Sequence, residues 1–200
     1  NQVIRVKEHD NFPVLKGSIF YGANASGKAN LIKAIDTARR IVIRMNQKGD
    51  MLPDNRFKLN AECRKAPTKF EFEIKTENGN YAYGFTFSPE NIKEEWLFLL
   101  KQKNETLVFE RKNDTINLNN KIFKNKKEYN RLLFMFEDLL PNQLYLTTVN
   151  NRNIQNMRNT KSFIDVYNWF DKNLLIIFPD DTFGSWRLFA IDDAFREYMK

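Results

Sequence analysis

An α/β fold is what this sequence predicts, and three observations predict it. A short apolar run at residues 14–21 feeds straight into Gly22-Ala23-Asn24-Ala25-Ser26-Gly27-Lys28-Ala29, and an amphipathic helical pattern begins at once after it. Residues 68–123 alternate apolar and polar side chains between turn signals, the mark of an antiparallel meander. Residues 126–200 return to helical spacing around one further apolar run. With 200 residues, 42% of them hydrophobic, the chain can build the core of one domain of ordinary size, and 1–200 is read as one unit.

The first element is Val14-Leu15-Lys16-Gly17-Ser18-Ile19-Phe20-Tyr21, suited to a buried strand. Residues 22–28 have the spacing G-x-x-x-x-G-K of a phosphate-binding loop, the P-loop. Two glycines let the backbone fold back so that several N–H groups converge on an anion, and the next helix turns its positive end to the same place. Gly22, Asn24, Ala25, Ser26, Gly27, Lys28, Ala29 and Asn30 are therefore the candidate nucleotide-binding residues, with Lys28 the cation that stabilises phosphate. Leu31, Ile35, Ala38, Val42 and Met45 recur at spacings of four and three, one face of a helix, so the strand–loop–helix unit spans about 14–46. Position 29 departs from the pattern. A Ser or Thr after the loop lysine supplies a hydroxyl to the Mg²⁺ that bridges nucleotide phosphates. Ala29 supplies none, which predicts weakened metal placement and weakened hydrolysis, whether the residue is engineered or natural.

A polar connector at about 47–68, holding Gly49, Pro53 and Pro67, reads as a long surface loop. Phe70, Phe72 and Ile74 then alternate with Glu71, Glu73 and Lys75, a half-buried strand. Glu77-Asn78-Gly79-Asn80 signals a hairpin turn into a second alternating run, Tyr81, Tyr83, Phe85 and Phe87. Residues 92–100, 106–111 and 115–118 continue as strands, and we read this sheet as structural. Tyr129, Leu132, Leu133, Phe136 and Leu140 predict a helix over 126–140, stopped by Pro141. After an Asn-rich stretch beyond Val149, residues 161–173 read as an aromatic-bearing helix, 174–178 as a strand ended by Pro179, and Asp192 as the cap of a last helix. No internal repeat or low-complexity linker divides the chain.

Composition removes several function classes. A single cysteine, Cys63, rules out an internal disulfide, and with one histidine, His9, argues against a structural zinc site. The longest apolar runs are too short to cross a bilayer and no basic-then-apolar leader is present, so the expectation is a cytoplasmic protein without a membrane partner. The formal charge of +7 permits contact with nucleic acid. Lys121, Lys124, Lys126 and Lys127 form the densest basic cluster; no recognised nucleic-acid motif accompanies it, and solvated lysines on a loop and helix start are its ordinary explanation. His9 and Asp10, ahead of the loop, read as surface residues.

The run Ile19-Phe20-Tyr21-Gly22-Ala23-Asn24-Ala25-Ser26-Gly27-Lys28, continued by Asn30-Leu31-Ile32-Lys33-Ala34-Ile35, resembles bacterial AAA-family ATPases with an ABC/SMC/RecF-like head, including those of abortive-infection and other phage-defence systems. Pro67-Thr68-Lys69-Phe70-Glu71-Phe72 and Tyr81-Ala82-Tyr83-Gly84-Phe85 resemble the strand pair that comes after the loop there, and Trp169-Phe170-Asp171-Lys172-Asn173-Leu174 the approach to a later core strand. The resemblance implies the N-terminal lobe of a P-loop head with an antiparallel meander and flanking helices, binding ATP and Mg²⁺ and closing as a homodimer over the nucleotide. It also implies an effector nuclease or toxin as partner. As alternatives it allows a DNA-repair or nucleic-acid-binding head and a catalytically decayed assembly scaffold.

The sequence departs from the family in lacking the Walker B run of four apolar residues ending in Asp-Glu, since residues 174–178 end in Pro179-Asp180-Asp181, and in lacking a Ser-Gly-Gly signature. The expectation is the N-terminal part of a longer protein. Gln143 and Gln155 are both candidates for the glutamine that senses γ-phosphate and metal in such heads, and Gln143 is the one carried as a metal-site candidate.

Overall fold

The computed structural model describes residues 3–4, 12–15, 17–24, 26–56, 61–101, 104–152, 154, 157 and 159–178. Five strands, β3 (Thr68–Lys75), β4 (Asn80–Phe87), β5 (Ile92–Leu100), β6 (Glu105–Lys112) and β7 (Thr115–Leu118), pair in sequence order as an antiparallel meander. Its inner face is the one the alternation predicts. Phe70, Phe72 and Ile74 lie opposite Phe85, Tyr83 and Tyr81 in the β3–β4 register, while Glu71 and Glu73 face outward opposite Gly84 and Ala82. Two irregularities shift that alternation. The β4–β5 ladder steps from Thr86↔Glu94 to Phe87↔Ile92, leaving Lys93 as an extra residue, so Ile92 is buried with Phe87. The β5–β6 ladder steps from Leu97↔Phe109 to Phe98↔Leu107, and Val108 joins Phe109 in the core.

Helices cover that face. α1 (Lys28–Ile43) buries Ala38, Ile41 and Val42, all toward its C-terminal end. α3 (Lys126–Glu137) buries Leu132 and Met135, and α5 (Lys161–Asn168) buries Phe163 and Val166 before a π-helical turn, Trp169–Asn173, that brings Phe170 inside. Aromatic rings carry much of the packing: Phe170 meets Phe72 and Tyr83 edge-on at 5.1 and 5.9 Å, and Phe109 stacks on Phe163 at 5.2 Å. These elements make an α/β fold, a multi-stranded antiparallel sheet flanked by helices, as the sequence predicts.

Several elements differ from expectation, each for a physical reason. The strand predicted over 14–21 forms a ladder only at β2 (Val14–Leu15), against β1 (Val3–Ile4). Ile19, Phe20 and Tyr21 are 75%, 66% and 87% exposed. Residues 174–178 likewise carry no ladder although exposure alternates along them. A strand needs a neighbour to take its N–H and C=O groups, and neither residues 17–21 nor residues 174–178 pair with one among the described residues. The helix predicted to reach residue 140 ends at Glu137, because Leu140 precedes a proline and is pushed out of the helical region. The 47–68 connector contains a short helix, α2 (Ala61–Lys65), and is fastened where the Leu52 amide donates to the Pro89 carbonyl at 2.7 Å. α4 (Tyr145–Asn151) was not legible: residues 145–149 are all buried, so no polar face interrupts them to reveal a period. Asp192, Asp180, Asp181, Gln155, His9, Asp10 and Ala25 lie outside the described residues.

Candidate functional site

The glycine loop connects an exposed extended segment to α1. Gly27 takes a left-handed conformation, φ 90°, which only glycine adopts without strain, and its carbonyl accepts from the amides of Asn30 and Leu31 at 2.9 and 3.3 Å. The Ser26 amide donates to the Ala23 carbonyl at 3.2 Å and tightens the turn. A Cβ on Gly22 would stand 2.7 Å from Ser26 Oγ, so a side chain there would displace that hydroxyl from the loop. Lys28 folds back across the loop, its Nζ donating to the carbonyls of Gly22 at 2.5 Å and Ala23 at 2.7 Å and to Ser26 Oγ at 3.3 Å. The ammonium is thus held over the concave side by oxygens that an incoming anion can replace. No side chain caps α1 and no acid occupies its first turn, so its positive end is uncapped among the described residues.

Gly22, Asn24, Ser26, Gly27, Lys28, Ala29 and Asn30 are all exposed and contiguous on this loop and first turn. From Asn30 a cleft of about 670 Å³ runs along α1, past Lys33 and Thr37, between the helix, the loop at 53–56 and the Phe70 and Phe87 rings. That is a volume of the order ligand pockets show.

A family profile described as "AAA domain, putative AbiEii toxin, Type IV TA system" matches residues 18–198. The chain belongs to this family. No curated protein and no solved structure matches the chain. Membership makes this an AAA-type P-loop NTPase domain of the toxin–antitoxin and abortive-infection kind, with nucleotide binding as the general property of such domains.

The residues of this AAA domain fit a phosphate group: a glycine that a Cβ would obstruct, an ammonium aimed into the loop, and an uncapped helix start. They do not build a side-chain metal ligand at position 29, where alanine has no hydroxyl, and no group of three or more His, Cys, Asp or Glu side chains gathers anywhere among the described residues. Gln143 is not brought to the loop. It is buried, its amide donates to the Asn46 carbonyl, and its Oε1 accepts from the Leu140 amide at 3.3 Å. Asn46 lies beyond the C-terminal end of α1, and 16 residues at 1.5 Å each put about 24 Å of helix between it and Lys28.

The AAA domain also contains a polar centre that the sequence reading missed. Glu95 and Arg111 stand opposite one another in the β5–β6 register and are both buried, with Arg111 NH1 4.0 Å from Glu95 Oε2. The Glu95 carboxylate accepts from Tyr83 OH at 3.0 Å and from the Tyr145 and Leu146 amides at 2.6 and 2.9 Å, capping α4. Arg111 donates to the carbonyls of Gln143 at 2.8 Å and Asn113 at 3.1 Å. Burial holds the Glu95 carboxyl above its usual range, with Arg111 and the two amides partly opposing. The signal lay in register: Glu95 is in phase with Leu97, an acid in line with a core side chain.

Proposed function

We propose that this AAA domain is the ATP-binding part of an ABC/SMC/RecF-like head that controls a toxin or effector nuclease in a phage-defence system. ATP phosphates seat on residues 22–30, and occupancy drives two such heads together. Lys28 carries this reading: it is the cation held over the loop's concave side by exchangeable carbonyl contacts. Its exchange of carbonyl oxygens for phosphate oxygens gives a charge-assisted contact of about 1.5–3 kcal/mol, or roughly tenfold to over a hundredfold in affinity. Titrating labelled ATP against the unmodified protein and Lys28→Ala tests it. A loss of that size is expected, and equal affinities would remove the loop as the binding site.

Ala29 favours a second reading, an assembly scaffold whose nucleotide site has decayed and which only holds partners together. ATP binding and Mg²⁺-dependent turnover, measured separately, divide the two. Under the first reading Ala29→Ser raises turnover more than it raises affinity, since the hydroxyl acts through the ion. Absence of both binding and turnover, before and after the substitution, selects the scaffold.

A further inference from the structure

The cleft that begins at Asn30 has walls of different chemistry. On one side Asn30, Lys33 and Thr37 share a face of α1, being spaced by three and four residues. Asn30 and the exposed Lys33 lie toward the glycine loop, and Thr37 lies about 10 Å farther along the axis than Asn30, at 1.5 Å per residue. Across from them stand residues 53–56 and the Phe70 and Phe87 side chains. The two rings lie 6.1 Å apart and within 20° of parallel, which gives the cleft a flat apolar side. Asn30 belongs both to the first turn of α1 and to the cleft, so a ligand with its phosphates on the loop has this space open to its apolar half.

Three adjacent side chains of the far wall differ in what they leave available. Arg56 Nε and NH2 donate to Asp54 Oδ1 and Oδ2 at 2.7 and 3.1 Å, so guanidinium fork and carboxylate are closed on each other. Asn55 between them is exposed, and its amide makes no hydrogen bond among the described residues. These are the groups that tell purines apart. A guanidinium fork matches the O6 and N7 acceptors of guanine, and a carboxylate matches its N1 and N2 donors; here each consumes the other. The free amide offers one donor beside one acceptor. Adenine answers that pattern on both sides of its N6 donor, through N7 and through N1, whereas guanine answers it on one side only.

We propose that, with phosphates seated on residues 22–30 as read above, this cleft takes the nucleoside, and that Asn55 makes it select adenine over guanine. Displacement of labelled ATP from the full chain by ATP, GTP and inorganic tripolyphosphate tests it. ATP should bind tighter than GTP by roughly fivefold or more, and tripolyphosphate weakest of the three. Asn55→Ala should bring ATP down to the level of GTP and leave tripolyphosphate unchanged, which also shows that the loop is intact. Asp54→Ala opens the Arg56 fork, and GTP should gain on ATP. Equal affinities for ATP and GTP in the unmodified chain, or an Asn55→Ala variant that weakens all three ligands alike, would overturn the role of Asn55. An ATP-to-GTP ratio that Asp54→Ala leaves unchanged would overturn the account of the Arg56 fork. Tripolyphosphate binding as tightly as ATP, with Lys28→Ala still abolishing both, would remove the nucleoside from the cleft and leave the loop reading standing. Affinities indifferent to Lys28→Ala would remove the loop reading itself.

Discussion

Glu95 holds four partners in the core, Tyr83, Tyr145, Leu146 and Arg111, and its substitution should show it. Glu95→Gln would set an NH₂ group against at least one of three donors, from Tyr83, Tyr145 and Leu146, and leave Arg111 buried without its anion. Breaking a buried charge pair of this type costs about 3–5 kcal/mol. The pH dependence has a definite sign. Burial raises the Glu95 pKa in the folded chain, so the folded state holds this proton more tightly than the unfolded state does. Its stabilising share is therefore complete below the unfolded value, about 4.3, and is lost as pH rises through the folded value. The gap in unfolding free energy between wild type and Glu95→Gln should narrow over that rise. Urea titrations across an acid-to-neutral series would show it, and a gap that widens with pH would contradict the account.

At the scale of elements, the sheet tolerates little change where β4 passes beneath β5. A Cβ on Gly84 would stand 2.3 Å from Trp96 Cζ2 and 2.7 Å from the Phe70 carbonyl oxygen. Gly84→Ala should cost about 1–3 kcal/mol through overpacking. Trp96→Ala added to it should recover only part, because the clash with backbone remains; full recovery in thermal unfolding would show that the ring alone sets the constraint. The strands were legible in sequence because a period of two is a local property, visible from Phe70, Phe72 and Ile74 onward. α4 and the Glu95–Arg111 pair were not, because burial on all sides and cross-strand register are fixed by partners about fifty and sixteen residues away. The glycine loop was legible for the opposite reason: its chemistry is contiguous, with Gly22, Gly27 and Lys28 within one turn.

For the whole molecule, a knot of amides joins α1 to the helical layer. Asn142 Nδ2 donates to the Gln47 and Asp50 carbonyls at 2.8 and 2.9 Å, Asn46 Nδ2 to the Asn142 carbonyl at 2.9 Å, and the Thr147 hydroxyl to the Val42 carbonyl. Arg39 adds donors to the Phe170 and Asp171 carbonyls at 2.9 and 3.2 Å. Asn142→Ala should leave two carbonyls short of a donor and cost about 1–3 kcal/mol. At about 2–4 °C per kcal/mol for a chain of this size, the melting temperature should fall by several degrees. An unchanged melting temperature, by calorimetry, would mean that water replaces the amide fully.

The Asn46, Asn142, Gln143 and Thr147 part of that knot is made of uncharged donors and carbonyl oxygens, with Arg39 and the Arg44–Asp50 pair as its ionic fringe. The other end of the same helix holds an ammonium and an uncapped helix start. Ionic strength therefore acts on the two ends unequally. Added salt screens the ammonium end within a Debye length of about 8–10 Å and leaves the amide-bonded end almost untouched. Brine can weaken the pull of the helix start on an anion without loosening where the helix is seated.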